Sequence, residues 1–344
     1  MKEYYDQRQH ISLSQLAFDI IEQDKYEFMT QPSRQGLINL IIEAFADKSN
    51  ADIDKAVIRY KEKLSGDLAQ IPESKTKADI ISTLSKKYRN ELLQKILDYP
   101  RDQSFKFQLN EHNFAAKERW DENGFYGSHP GRFYKAVLEE YARKSYYERE
   151  EIVLGKLISE LELHITASKL IIIKMQGMPD RRKEVRPYAI THDPLFNFHY
   201  LVGYSREYGS SYPEKIVSYR ISRIETVRSS SSRSGRITKE QGSVIERRLN
   251  TVGVQFLLQD ADKIEVRLTA QGKRNYESQV HLRPHYISCR EEQDGSWIYS
   301  FDCSQMQAEF YFFKLGADAK ILSPAPLRNT FLSKYKEALM TYGN

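Results

Sequence analysis

Apolar residues recur along this chain with two spacings, and the spacing divides it. Over residues 186–224 the period is two. Tyr188 and Ile190, then Tyr200, Val202 and Tyr204, then Val217, Tyr219 and Ile221 alternate with other residues, which predicts three half-buried strands. Asp193-Pro194 and the Gly209 to Pro213 stretch carry turn chemistry between them. An apolar run at 169–175 predicts a further strand before them. Near the start, Ile11 and Leu13 alternate with Arg8, His10 and Ser12, a short strand over 7–14. The spacing then becomes helical. Ser14 caps residues 15–29 with Leu16, Ile20 and Ile21 on the apolar face. Gln31-Pro32 ends that helix, and Ser33 caps a second over 34–46 whose apolar face is Leu37, Ile38, Ile41 and Phe45.

The same strand-helix-helix pattern returns later. Phe105, Phe107 and Leu109 alternate over 104–109, helices follow over 111–120 and from Pro130, and residues 123–129 form a loop between them. A shift of 96 positions, without a gap, lays Ile11 on Phe107, Leu13 on Leu109, Phe18 on Phe114, Leu37 on Phe133, Ile41 on Val137 and Phe45 on Tyr141. One such strand has no partner and half a core, so the two copies are expected to pair within the chain. The ribbon so formed turns Arg8, His10, Ser12, Lys106 and Gln108 outward. Such ribbons can enter a major groove, and the helix starts near Arg34 and Arg132 can hold phosphates. The alternative is an ordinary polar face on a half-exposed sheet. Residues 51–99, between the copies, read as two helices with lysines along them, usually a solvated face.

After the strands, RSSSSRSGR at 228–236 reads as a flexible hinge, and 238–249 as a helix. Residues 145–152 join the tandem unit to the strands, and 156–167 are helical. The last part predicts strands at 254–258, 264–268, 285–289, 297–303 and 319–322, and helices at 304–315 and 331–342.

Composition narrows the function. The chain has 344 residues, too many for one typical core, with 40% hydrophobic and 29% charged residues. No apolar run is long enough to span a membrane, and the first ten residues are too polar for a secretory signal. Cys289 and Cys303 predict buried thiols in a reducing cytoplasm. A net charge of +5 permits nucleic acid without requiring it. There is no phosphate-binding glycine loop, no dinucleotide fingerprint, no HExxH and no CxxC, so neither enzyme, cofactor nor metal site is expected. What stands out is Arg186, Arg206, Arg220, Arg223 and Arg228 threaded among tyrosines: guanidinium forks suit phosphate, and rings stack on bases.

These blocks carry a resemblance. Arg186-Pro187-Tyr188, His199-Tyr200-Leu201-Val202 and Tyr219-Arg220-Ile221-Ser222-Arg223-Ile224 resemble the WYL domain of bacterial regulators, with His199 where the family has Trp. Gly316, Ile321, Pro324, Leu327 and Arg328 resemble the ending of the C-terminal extension that follows such domains, and the N-terminal repeat resembles ribbon-helix-helix proteins. The combination is similar to the WYL accessory proteins of type VI-D CRISPR systems. The resemblance implies an α+β chain in three parts. They are a tandem ribbon-helix-helix unit (1–145), a WYL domain built as a small Sm-like β-barrel (146–236), and a ferredoxin-like extension (237–344) that dimerises. It implies single-stranded RNA bound at Arg186, Tyr188, His199, Tyr200, Arg206, Tyr219, Arg220 and Arg223, with a CRISPR effector ribonuclease as partner. The alternative is a DNA-binding repressor that reads duplex DNA with the ribbon and senses a small or nucleotide ligand with the barrel. A structural dimerisation protein is the third. Arg220 and Arg223, three apart in one strand, are expected on opposite faces.

Overall fold

A computed structural model describes residues 8–116, 125–126, 130–177, 182–193, 198–257 and 261–343. They form two compact units, residues 1–158 and 159–344.

In the first unit, β1 (Arg8–Leu13) leads into α1 (Gln15–Phe28), where the Ser14 hydroxyl accepts from the Ala17 N–H. Then come α2 (Arg34–Phe45), capped by Ser33, α3 (Ala51–Asp67) and α4 (Lys75–Leu97). The repeat follows as β2 (Gln103–Gln108), α5 (Glu111–Ala116) and α6 (Pro130–Ala142). β1 and β2 pair antiparallel, Arg8 opposite Gln108 and His10 opposite Lys106. Ile11, Leu13, Leu37, Ile41 and Phe45 share one core with Phe107, Leu109, Phe133, Val137 and Tyr141, the positions the repeat aligns. Gly131 lets α6 approach the ribbon: a Cβ there would stand 2.9 Å from the His10 carbonyl oxygen.

Some expectations for this unit change. Leu16 is exposed, because the buried stripe of α1 is Ala17, Ile21, Asp24 and Phe28, one position round the helix. Asp24 can join that stripe because Arg149 and Tyr141 reach it: its carboxylate accepts from Arg149 Nε at 2.7 Å and from Tyr141 Oη at 2.7 Å. Arg149 belongs to α7 (Tyr146–Thr166), so the expected joining segment is already helix. The expected helix over 117–120 and the loop over 123–129 lie wholly or mostly outside the described residues.

The second unit holds two sheets. The first comprises β3 (Lys169–Met175), β4 (Arg182–Asp193), β5 (Phe198–Glu207), β6 (Lys215–Arg220) and β7 (Ile224–Ser234), all antiparallel, in the order β6-β5-β4-β3-β7. Among the described residues no ladder joins β6 to β7, so the expected closed barrel is an open five-stranded sheet here. The expected hinge is a strand: β7 runs through most of it, with Arg228 opposite Ile172 and Ser229 opposite Ile171. Pairing with β3 supplies the backbone partners that serine-rich sequence alone does not advertise.

α8 (Lys239–Val252) lies against this sheet. Its Ile245 packs with Val202 and Ile216, and the half-buried Tyr188, Tyr200 and Tyr204 lean on the same cluster. Gly242 lies close to the sheet, where a Cβ would stand 3.2 Å from the Tyr188 ring.

The second sheet comprises β8 (Asp262–Leu268), β9 (Tyr286–Glu291), β10 (Trp297–Cys303) and β11 (Ala319–Ser323), ordered β11-β8-β10-β9. Between β8 and β9 lies α9 (Ala270–Ser278), a helix the sequence reading missed although Thr269 caps it; α10 (Gln305–Phe312) joins β10 to β11. The strand expected at 254–258 is a single 3-10 turn, Val254–Phe256. The closing helix α11 spans Ala325–Tyr342 and starts six residues before the expected 331. Tyr311 is fully buried and donates to the Gln279 carbonyl at 2.7 Å, so it serves the core and no outer surface. No described helix is long and apolar enough to cross a membrane.

Candidate nucleic-acid interfaces

Each unit carries one candidate surface. On the ribbon, residues directly opposite share a face. Arg8 with Gln108, His10 with Lys106, and Ser12 with Ser104 therefore make one polar surface of six side chains without a carboxylate, and the two serine hydroxyls bond at 2.6 Å. At its edge is a cleft of about 590 Å³ lined by His10, Ser12, Arg101, Arg132 and Lys135, with Gly131 at the start of α6. The structure thus brings His10, Ser12 and Arg132 together, and adds Arg101, which no periodicity marks. Lys135 is spent internally: its ammonium donates to the Leu97 carbonyl at 3.0 Å and the Tyr99 carbonyl at 2.5 Å, and burial pushes its pKa down. Arg34 is also engaged. It pairs with Glu22 and sits over the Phe18 ring at 4.7 Å and the Phe105 ring at 5.2 Å.

In the second unit the eight expected residues do not form one surface. Strand register puts Tyr200 opposite Arg220 on the face turned to α8, whereas Leu201 stands opposite Tyr219 and His192 opposite His199 on the other face. His199 is buried at 6% exposure, its ring 5.5 Å from that of His192. The Tyr219 hydroxyl meets Ser205 Oγ at 3.0 Å, and burial raises its pKa. Tyr188 bonds to the Glu246 carboxylate, which raises its pKa together with burial.

The arginines have protein partners. Arg186 Nε donates to Glu214 at 2.9 Å and its Nη1 to the Arg236 carbonyl at 2.9 Å. Arg206 Nε donates to Glu184 at 2.6 Å. Arg223 lies in a 3-10 turn, Ile221–Arg223, and donates to Gln176 Oε1 at 3.1 Å. Arg220 ends β6, so the two arginines are not in one strand. Arg220 stacks on the Phe198 ring at 3.6 Å, beside Tyr200. Rings and a guanidinium meet on this sheet at Phe198, Tyr200 and Arg220, and again where Arg186 lies over the Tyr204 ring at 5.3 Å. Composition showed the residue types; the acids Glu184, Glu214 and Glu246 that claim several of them lie far enough away in sequence that no local spacing revealed the pairs. Among the described residues no group of three or more His, Cys, Asp or Glu is placed to hold a metal ion.

The fold is that of a mixed α+β chain, helices on a two-stranded ribbon in one unit and two antiparallel sheets in the other. It is shared with a solved structure described as a CRISPR Cas-related protein: TM-score 0.69, 22% identity, covering 98% of this chain and 94% of that one. A second structure, proteasome accessory factor B/C (PafBC) of Arthrobacter aurescens, gives a TM-score of 0.28 at 12% identity over 72% of this chain and 40% of that one. No family model and no curated protein matches the chain.

Proposed function

We propose that the chain is a non-enzymatic, nucleic-acid-binding accessory protein that binds single-stranded RNA and modulates a CRISPR RNA-guided ribonuclease. The observation that carries this reading is the likeness to a CRISPR Cas-related protein over nearly the whole of both chains. In this reading the first unit is a tandem ribbon-helix-helix, the five-stranded sheet is a WYL domain of Sm-like strand order, and the last sheet is its ferredoxin-like, dimerising extension. RNA engages the sheet at Phe198, Tyr200 and Arg220, where stacking faces and a cation adjoin. The test is a cleavage assay. A type VI-D RNA-guided ribonuclease is run with and without a molar excess of the chain. Faster target cleavage with wild type, lost with Arg220→Ala, supports the reading. An unchanged rate with wild type contradicts the accessory role.

A second reading, a repressor that grips duplex DNA with the ribbon, is favoured by one observation. All six outward ribbon side chains are polar, Arg8 and Lys106 are cationic, and none is acidic.

A further inference from the structure

Within the second unit, a cleft of about 430 Å³ opens where the end of β4, the last turn of α8 and the segment before β9 meet. Its lining differs in kind from the surfaces above. Glu246 and Gln307 supply acceptors, while the Asp193 carboxylate already accepts from Gln255 Nε2 at 2.7 Å; His285 supplies a flat ring, and Leu249 and Val254 an apolar wall. The last turn of α8 adds its own partial negative charge. Arg283 also lines the cleft, but its Nη1 is directed to the Glu277 carbonyl at 3.1 Å. Gln307 is the telling residue. It is 8% exposed, and its Oε1 is buried without a hydrogen-bond partner. A buried acceptor left unmatched is costly, so a site of this make-up favours a ligand that brings donors.

Phosphate is the wrong ligand for such a lining, because it brings more negative charge. A planar group with adjacent N–H donors is the right one. Among nucleobases, guanine alone presents an imino N–H and an amino group side by side on its Watson–Crick edge. A carboxylate accepts both, and an amide oxygen accepts the remaining amino hydrogen. The volume admits a base with its sugar, and the His285 imidazole can stack on it as aromatic side chains do on unstacked RNA bases.

We infer that this cleft is a recognition site for a single guanine base, presented either by RNA or by a free guanine nucleotide. As an RNA site it rests on the reading above and deepens it. The chain would then prefer RNA with an unstacked guanosine over RNA without one.

The full chain is titrated with labelled decauridine, and with the same oligomer carrying one central guanosine, inosine or adenosine. Guanosine monophosphate is titrated separately by calorimetry. The expected result is binding about tenfold tighter for the guanosine oligomer than for decauridine. Inosine, which lacks the amino group, loses most of that gain, and adenosine shows none. Gln307→Leu brings the guanosine-to-uridine ratio to about one. Glu246→Gln, at an exposed position where the amide oxygen can still accept from the Tyr188 hydroxyl, does the same and covers the case in which Gln307→Leu does not fold. A wild-type ratio of one overturns the guanine site while leaving RNA binding standing. If no oligomer binds but guanosine monophosphate does, with loss in either variant, the site holds for the free nucleotide and the RNA reading falls. If neither binds, the site is overturned.

Discussion

Asp24 and Arg149 meet in the core of the first unit, where neither side chain is more than 8% exposed. Burial raises the Asp24 pKa, and the Arg149 guanidinium pulls it back. The Tyr141 hydroxyl, its own pKa raised well above the usual value by burial, donates a further bond to the same carboxylate. Removing one charge leaves the other buried and unpaired, so Arg149→Met should cost about 3–5 kcal/mol in urea unfolding of the full chain. A loss below about 1 kcal/mol would show that the pair contributes nothing beyond its packing. The cysteines offer a second check at this scale. Cys289 is exposed on β9, whereas Cys303 is buried and its thiol is pushed up to about 12. Iodoacetamide at neutral pH should label Cys289 alone in the native protein and both after unfolding, read by mass spectrometry. The sequence placed both thiols in a strand-rich region; burial of Cys289 failed because β9 is the sheet's outer strand, exposed along its length.

Elements form where local signals and tertiary partners agree. Ser14 and Ser33 were legible as caps, and each accepts from the backbone N–H three residues on, as Ser304 does for α10. At the start of α7 the relation is reversed. Glu148 accepts from the Ser145 N–H at 2.8 Å and from its hydroxyl at 2.6 Å, and the hydroxyl bond is the main cause of its lowered pKa. A carboxyl whose folded pKa is depressed stabilises the fold above its unfolded value near 4.5, and this contribution fades as pH falls through the lower folded value. Glu148→Gln should therefore lower Tm relative to wild type at pH 7, and the gap should close on acidification below pH ~4. A gap constant across that range would contradict the assignment. Gly131 tests the approach of α6 to the ribbon. Gly131→Val places side-chain carbon against the His10 carbonyl, where even a Cβ stands at 2.9 Å, and should destabilise the chain by about 1–3 kcal/mol in the same urea assay. The elements that sequence missed or misjudged are those whose partners are remote. β7 exists because β3 pairs with it, and α9 is a nine-residue helix with only two buried residues to mark it.

At the scale of the whole chain, the internal repeat was the most legible feature. A repeated core demands hydrophobic residues at matching positions, and both copies converge on one cluster. The candidate site was legible only in kind. Residue types for anion and base recognition were visible, but alternation along β5 and β6 sends His199 and Tyr219 to one face and Tyr200 and Arg220 to the other. α8 then covers part of the second face, a tertiary fact without a local signature. For the proposed RNA binding the second unit offers the Phe198–Tyr200–Arg220 group beside the inferred guanine cleft, and for the alternative duplex-DNA reading the first unit offers the ribbon. The direct measurement is binding of labelled single-stranded RNA and duplex DNA across a salt series, comparing wild type with Arg220→Ala and with His10→Ala/Lys106→Ala. RNA binding is expected to weaken about tenfold or more in Arg220→Ala and to change little in the ribbon variant. Duplex DNA binding lost only in the ribbon variant, with no RNA binding, would contradict it and leave the repressor reading in its place.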